Sequence, residues 1–170
     1  GSRMRVICLV LFFGALMAPG VRAQDVSDGE LAAEMRFLGG QNVFHYDWQR
    51  LTADLTCDGA ADKVAGYVDL DNPEGLSFFL TVVTRAEGRL TSDAMIAFFD
   101  DRHDDGLCGD GKPAPVLSLE RFSEEEARAL TGIENACPVA VRIDDGLCPA
   151  HRYFWIAGRD LDDRLLLVKK

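Results

Sequence analysis

The stretch Leu76-Ser77-Phe78-Phe79-Leu80-Thr81-Val82-Val83-Thr84 decides the fold. It carries no charge and is dense in apolar and β-branched residues, so it reads as a central strand. Asp71-Asn72-Pro73-Glu74-Gly75 before it is a strong turn sequence, and Gly88 marks the next turn. Working outward, further strands are expected over Val64–Leu70, Met95–Phe99, Val116–Leu119, Val139–Ile143, Tyr153–Ala157 and Leu165–Val168, while Val43–Leu51 reads as a strand or a loop. A helix is expected over Asp25–Leu38: Ser27 and Glu30 form a capping-box pattern, Leu31, Met35 and Leu38 share a face, and Gly39-Gly40 stop it. A second helix opens at Ser123, with Glu126 three residues on, and closes at Gly132. Strands joined by tight turns imply a mostly antiparallel sheet, so the fold class is α+β, with two short helices and one domain.

The chain has 170 residues, 18 of them Lys or Arg and 28 Asp or Glu, for a net charge of −10. Gly1-Ser2-Arg3 ahead of Met4 reads as an expression remnant. Arg5, the uncharged apolar run Val6–Ala18, the Pro19-Gly20 break and Val21-Arg22-Ala23 match a cleaved export signal. The run is shorter than the roughly 20 residues needed to span a bilayer. Residues 1–23 are therefore set aside, and residues 24–170 form the expected domain. Losing Arg3, Arg5 and Arg22 lowers the basic residues from 18 to 15 against 28 acidic ones, a net charge of −13. Such a charge argues against nucleic acid and anionic membranes, and it favours cations, basic proteins or plain solubility. The expected location is periplasmic or secreted.

Export leaves four cysteines, Cys57, Cys108, Cys137 and Cys148, because Cys8 leaves with the signal. An even number in an oxidising compartment favours two disulfides. A four-thiolate zinc site is disfavoured because no C-x-x-C spacing is present. Cys137 and Cys148 flank a single strand and turn, which suggests pairing them and leaving Cys57 with Cys108.

Asp54-Leu55-Thr56-Cys57-Asp58-Gly59-Ala60-Ala61-Asp62 places oxygen-bearing side chains at loop positions 1, 3, 5 and 9, with Gly59 at the sharp turn. A hard cation such as Ca²⁺ takes six to eight oxygens, and a short loop curled around it delivers them at alternate positions. The expected ligands are Asp54, Thr56, Asp58, the Ala60 carbonyl and Asp62. Position 12 is Ala65 rather than Glu, which excludes an EF-hand. These nine residues resemble the calcium loop of FG-GAP repeats, D-x-[DN]-x-D-G-x-x-D followed by a strand. The likeness departs at Thr56 and Cys57 and covers about fifteen residues, through Lys63–Val68. It implies a single Ca²⁺ site, not a propeller; the alternative reading is a solvated Asp/Gly-rich hairpin turn with no metal.

Asp104-Asp105-Gly106-Leu107-Cys108 recurs as Asp144-Asp145-Gly146-Leu147-Cys148, which reads as one turn chemistry used twice. The stretch Val141–Cys148, with Arg152–Trp155, resembles segments of small secreted bacterial proteins and implies no activity. Asp100, Asp101, Asp104, Asp105 and Asp110 surround His103, which reads as a solvated loop before it reads as a zinc site. No G-x-S-x-G, H-E-x-x-H or phosphate-loop motif is present. The expected function is an exported, acidic, non-enzymatic binding protein that recognises a basic protein or envelope component, for example by inhibiting a basic enzyme. The alternative is a small secreted hydrolase using the acidic loops with His103 or His45.

Overall fold

The computed structural model describes residues 23–39, 46–100, 105–158 and 164–168. Residues 1–22 of the expected export signal, His45, Asp101, His103 and Asp104 lie outside them. The chain forms two four-stranded antiparallel sheets, each a meander in chain order. The first contains β1 (Gln49–Ala53), β2 (Asp62–Asp69), β3 (Ser77–Ala86) and β4 (Arg89–Phe98). The second contains β5 (Val116–Arg121), β6 (Val139–Asp144), β7 (His151–Trp155) and β8 (Leu165–Val168). Helix α1 (Asp28–Gly39) precedes β1, and α2 (Glu124–Thr131) lies between β5 and β6. The α+β, mostly antiparallel expectation holds.

The continuous apolar run is explained by its position. Residues of β3 alternate between two cores. Phe78, Leu80 and Val82 face the other sheet, where they pack with Val141, Ile143, Tyr153 and Trp155. Phe79 and Val83 face outward and pack with Leu31 and Met35 of α1. On the second sheet Ala140 and Phe154 face outward against Ala127 of α2. The layers are therefore helix, sheet, sheet, helix. The inner layer is tight at Gly66 of β2, where an added Cβ would lie 2.6 Å from the Phe78 ring.

Side chains seal both seams of the sandwich. The Gln49 amide donates to the Pro115 carbonyl and accepts from Leu117 N–H, tying β1 to β5. The Asp93 carboxylate accepts from the N–H groups of Arg164 and Leu165, tying β4 to β8. Both helices start with reciprocal capping boxes, Ser27 with Glu30 and Ser123 with Glu126. Gly132, at φ 70°, ends α2 in the left-handed conformation.

Several strand boundaries differ from the sequence reading. Strand β4 starts at Arg89, six residues before the expected Met95, because the Glu87-Gly88 turn pairs Ala86 directly with Arg89. Its first half is polar because β4 is an edge strand. Strand β7 covers His151–Trp155, two residues upstream of the expected span.

The disulfides are Cys57–Cys137 and Cys108–Cys148, each with a Cα separation of 5.6 Å. This corrects the expected Cys137–Cys148 and Cys57–Cys108 pairing. Cys137 precedes β6 and Cys148 follows it, so the six-residue strand holds them about 20 Å apart. Cys57–Cys137 instead ties the β1–β2 loop of the first sheet to the start of β6 in the second.

Candidate functional site

Strand β2 carries an acidic group at each end, separated by about 23 Å of extended chain. The loop between β1 and β2 lies at one end. Asp62 is only 1% exposed and accepts the N–H groups of Leu55 and Thr56 on one oxygen. Asp54 accepts from Asp58 N–H and Gly59 N–H, and Asp58 accepts from Ala60 N–H. The Thr56 hydroxyl lies 3.4 Å from both an Asp54 and an Asp62 oxygen. The structure thus brings Asp54, Thr56 and Asp62 together, while Asp58 turns its carboxylate to the Ala60 amide and Ala60 is buried. Burial, reinforced by the Asp58 and Asp54 charges, pushes the Asp62 carboxyl up to about 6 against the pull of the Leu55 and Thr56 N–H groups. Among the described residues no cation pairs with these three carboxylates. Cys57 at φ 58° and Gly59 at φ 85° both take the left-handed conformation that curls the loop.

The loop borders a cleft of about 520 Å³, formed with the β3–β4 turn and the region after β7. Arg85, Glu87, Trp155 and Arg164 line it together with Thr56 and Asp58. Arg85 is bound to Glu30 of α1 at 2.6 Å, and Arg164 lies over the Trp155 ring.

At the other end of β2, the register places Tyr67, Phe79 and Ile96 in one row across β2, β3 and β4. Tyr46 stacks on Tyr67 with ring centroids 4.9 Å apart and planes 8° apart. Asp69 closes β2, and Asp71 follows in the turn, where it accepts the Tyr46 hydroxyl proton. The hydrogen bond to Asp71, followed by burial, raises the Tyr46 phenol above its ordinary range. Burial and the Asp69 charge push Tyr67 up to about 12. These residues enclose a groove of about 320 Å³. The sequence reading missed it: Asp71–Gly75 registered only as a turn, and Tyr46 fell in a stretch read as strand or loop. The available signal was an Asp-Leu-Asp pair next to spaced tyrosines.

The repeated Asp-Gly-Leu-Cys turns meet at the second disulfide. One carboxylate, Asp145, accepts from the N–H groups of Cys108, Leu147 and Cys148. Burial opposes its charge, yet these bonds and nearby His151 carry its carboxyl below the usual range. The two copies occupy different positions and bond differently: Leu147 and Cys148 donate to Asp145 of their own turn, whereas Leu107 donates to the Phe98 carbonyl and Cys108 to Asp145 of the other copy, so the expected single turn chemistry used twice is not what forms. Among the described residues, Cys108, Asp145 and Cys148 form the one triad of metal-ligand types within 4.8 Å, but both sulfurs are committed to the disulfide. His45 and His103, on which a hydrolytic reading depends, lie outside the described residues, while His151 is buried at the start of β7. No helix of the described residues is long and apolar enough to cross a membrane.

Comparison with protein families, with curated proteins and with solved structures finds no match.

Proposed function

We propose that the chain is an exported, non-enzymatic binding module that recognises a basic protein or envelope component, and that the Asp54–Asp62 loop holds Ca²⁺ as a structural ion. One observation carries this reading: both ends of β2 gather carboxylates that no cation of the described residues neutralises. Uncompensated charge of one sign steers an oppositely charged partner and suppresses others. The export reading draws support from two disulfides, which persist in oxidising compartments. The calcium reading draws support from the inward-facing Asp54, Thr56 and Asp62 oxygens and their resemblance to an FG-GAP loop. Ca²⁺ would offset the burial that raises Asp62 and the Asp58 and Asp54 charges that add to it.

The test is affinity capture by the purified chain from periplasmic extract and from secretions, with Ca²⁺ and with chelator. A size-matched acidic protein serves as control. The expected result is selective retention of basic proteins, released by salt and retained better with Ca²⁺. Retention indistinguishable from the acidic control, or turnover of a hydrolase substrate, overturns the reading.

A further inference from the structure

We propose that the groove between Tyr46, Tyr67, Asp69 and Asp71 is a receptor for a single arginine side chain of a basic polypeptide. The inference rests on the basic-partner reading above and assigns it a site. The walls are aromatic and aliphatic: Tyr46 stacked on Tyr67, Phe79 behind them, and Leu38 and Ile96 at the rim, 37% and 45% exposed. A volume of about 320 Å³ suits one long side chain rather than a folded ligand.

The polar groups are arranged for a planar cation. Among the described residues neither Asp69 nor Asp71 has a cationic partner. Asp69 accepts the Asp71 N–H, and Asp71 accepts the Tyr46 hydroxyl, so each carboxylate retains acceptor capacity. The Tyr67 side chain is 2% exposed and lines the groove, and among the described residues its hydroxyl makes no hydrogen bond. The hydroxyl is not sealed inside the fold, so a ligand group in the groove can bond it. A guanidinium supplies flat faces for the stacked tyrosines and five N–H donors for the carboxylates and the free phenol oxygen. An ammonium offers no plane to stack, and an anion would be repelled by both carboxylates. The exposed Leu38 and Ile96 rim provides apolar contact for the chain flanking the arginine.

The test is calorimetric titration of the full chain with hexa-arginine, hexa-lysine and hexa-glutamate amides. Backbone amide NMR shifts report where they bind. Hexa-arginine should bind tightest, with the largest shifts at Tyr46, Tyr67 and Asp69–Asn72. Tyr46→Leu should weaken it about tenfold through loss of the stacked face. Asp69→Asn combined with Asp71→Asn should also cost about tenfold or more. Glu74→Gln, an exposed charge change a few residues away, should leave affinity within about twofold. Unchanged melting temperatures separate these losses from misfolding, and Tyr46→Phe, which keeps the stack, should retain binding. Equal affinity for hexa-lysine, or equal losses from Glu74→Gln and the Asp69/Asp71 pair, overturns the arginine groove. Basic proteins retained undiminished by Tyr46→Leu and by the Asp69/Asp71 variant overturn the groove while leaving the basic-partner reading intact.

Discussion

Asp62→Asn should make the metal-free protein more stable at neutral pH, even though Asp62 is buried and hydrogen-bonded. The carboxyl titrates at about 6 in the folded chain, against about 3.9 for an unperturbed Asp. Between those values the native state holds a proton that the unfolded state has released. Stability therefore falls as pH rises from about 4 to about 6 and stays reduced above. A two-unit shift corresponds to about 3 kcal/mol. Asparagine keeps the oxygen that accepts from Leu55 and Thr56. It also replaces the charged second oxygen with a donor that can face Asp54 or Asp58. The expected gain is about 1–3 kcal/mol at neutral pH in chelator, shrinking to nothing below about pH 3.5, where Asp62 is protonated in both states. Calcium should reverse the ranking. A thousandfold excess over Kd stabilises the parent by about 4.1 kcal/mol, more than the variant's metal-free advantage, and the variant gains little. Urea denaturation across this pH range, with chelator and with CaCl₂, measures both effects. A variant less stable than the parent at neutral pH in chelator, or equal calcium stabilisation of the two, would refute the reasoning.

Glu87 sits in the β3–β4 turn at φ 51°, where a side chain is strained; Glu87→Asn should raise stability by about 0.5–1 kcal/mol in the same denaturation assay. Gly66→Ala should destabilise by about 1–3 kcal/mol, since its Cβ would meet the Phe78 ring at 2.6 Å. Peptide mapping without reduction should find Cys57 linked to Cys137 and Cys108 to Cys148, and any other pairing contradicts the fold. The bridges span 80 and 40 residues; on chain entropy, loss of either costs about 4 kcal/mol, readable by comparing Cys→Ser pairs.

How legible each part was follows from where its determinants lie. Strand β3 was readable because it is covered on both faces, and coverage leaves a dense apolar signature in consecutive residues. Both helices announced themselves through local chemistry, Ser27 with Glu30 and Ser123 with Glu126. The first half of β4 was invisible: an edge strand tolerates Arg89, Thr91, Ser92 and Asp93, and only its register with β3 defines it. Disulfide pairing was equally hidden, because the distance between Cys137 and Cys148 depends on β6 being extended between them. At the β1–β2 loop, spacing singled out Asp54, Thr56 and Asp62, which come together, but not that Asp58 turns to the Ala60 amide or that backbone N–H groups already occupy Asp54. The groove needs Tyr46, Tyr67 and Ile96, fifty residues of chain from first to last, aligned by two strand registers that no local pattern encodes.

The central claim, recognition of basic partners through uncompensated acidic surface, is tested most directly by the association rate constant with a captured basic protein as ionic strength varies. Stopped-flow measurement from about 10 mM to about 300 mM salt spans Debye lengths from about 30 Å to well under 10 Å. The account predicts a rate that falls steeply with salt and flattens when Asp69 and Asp71 are both replaced by Asn. A rate independent of ionic strength, or one that rises with it, would contradict the claim.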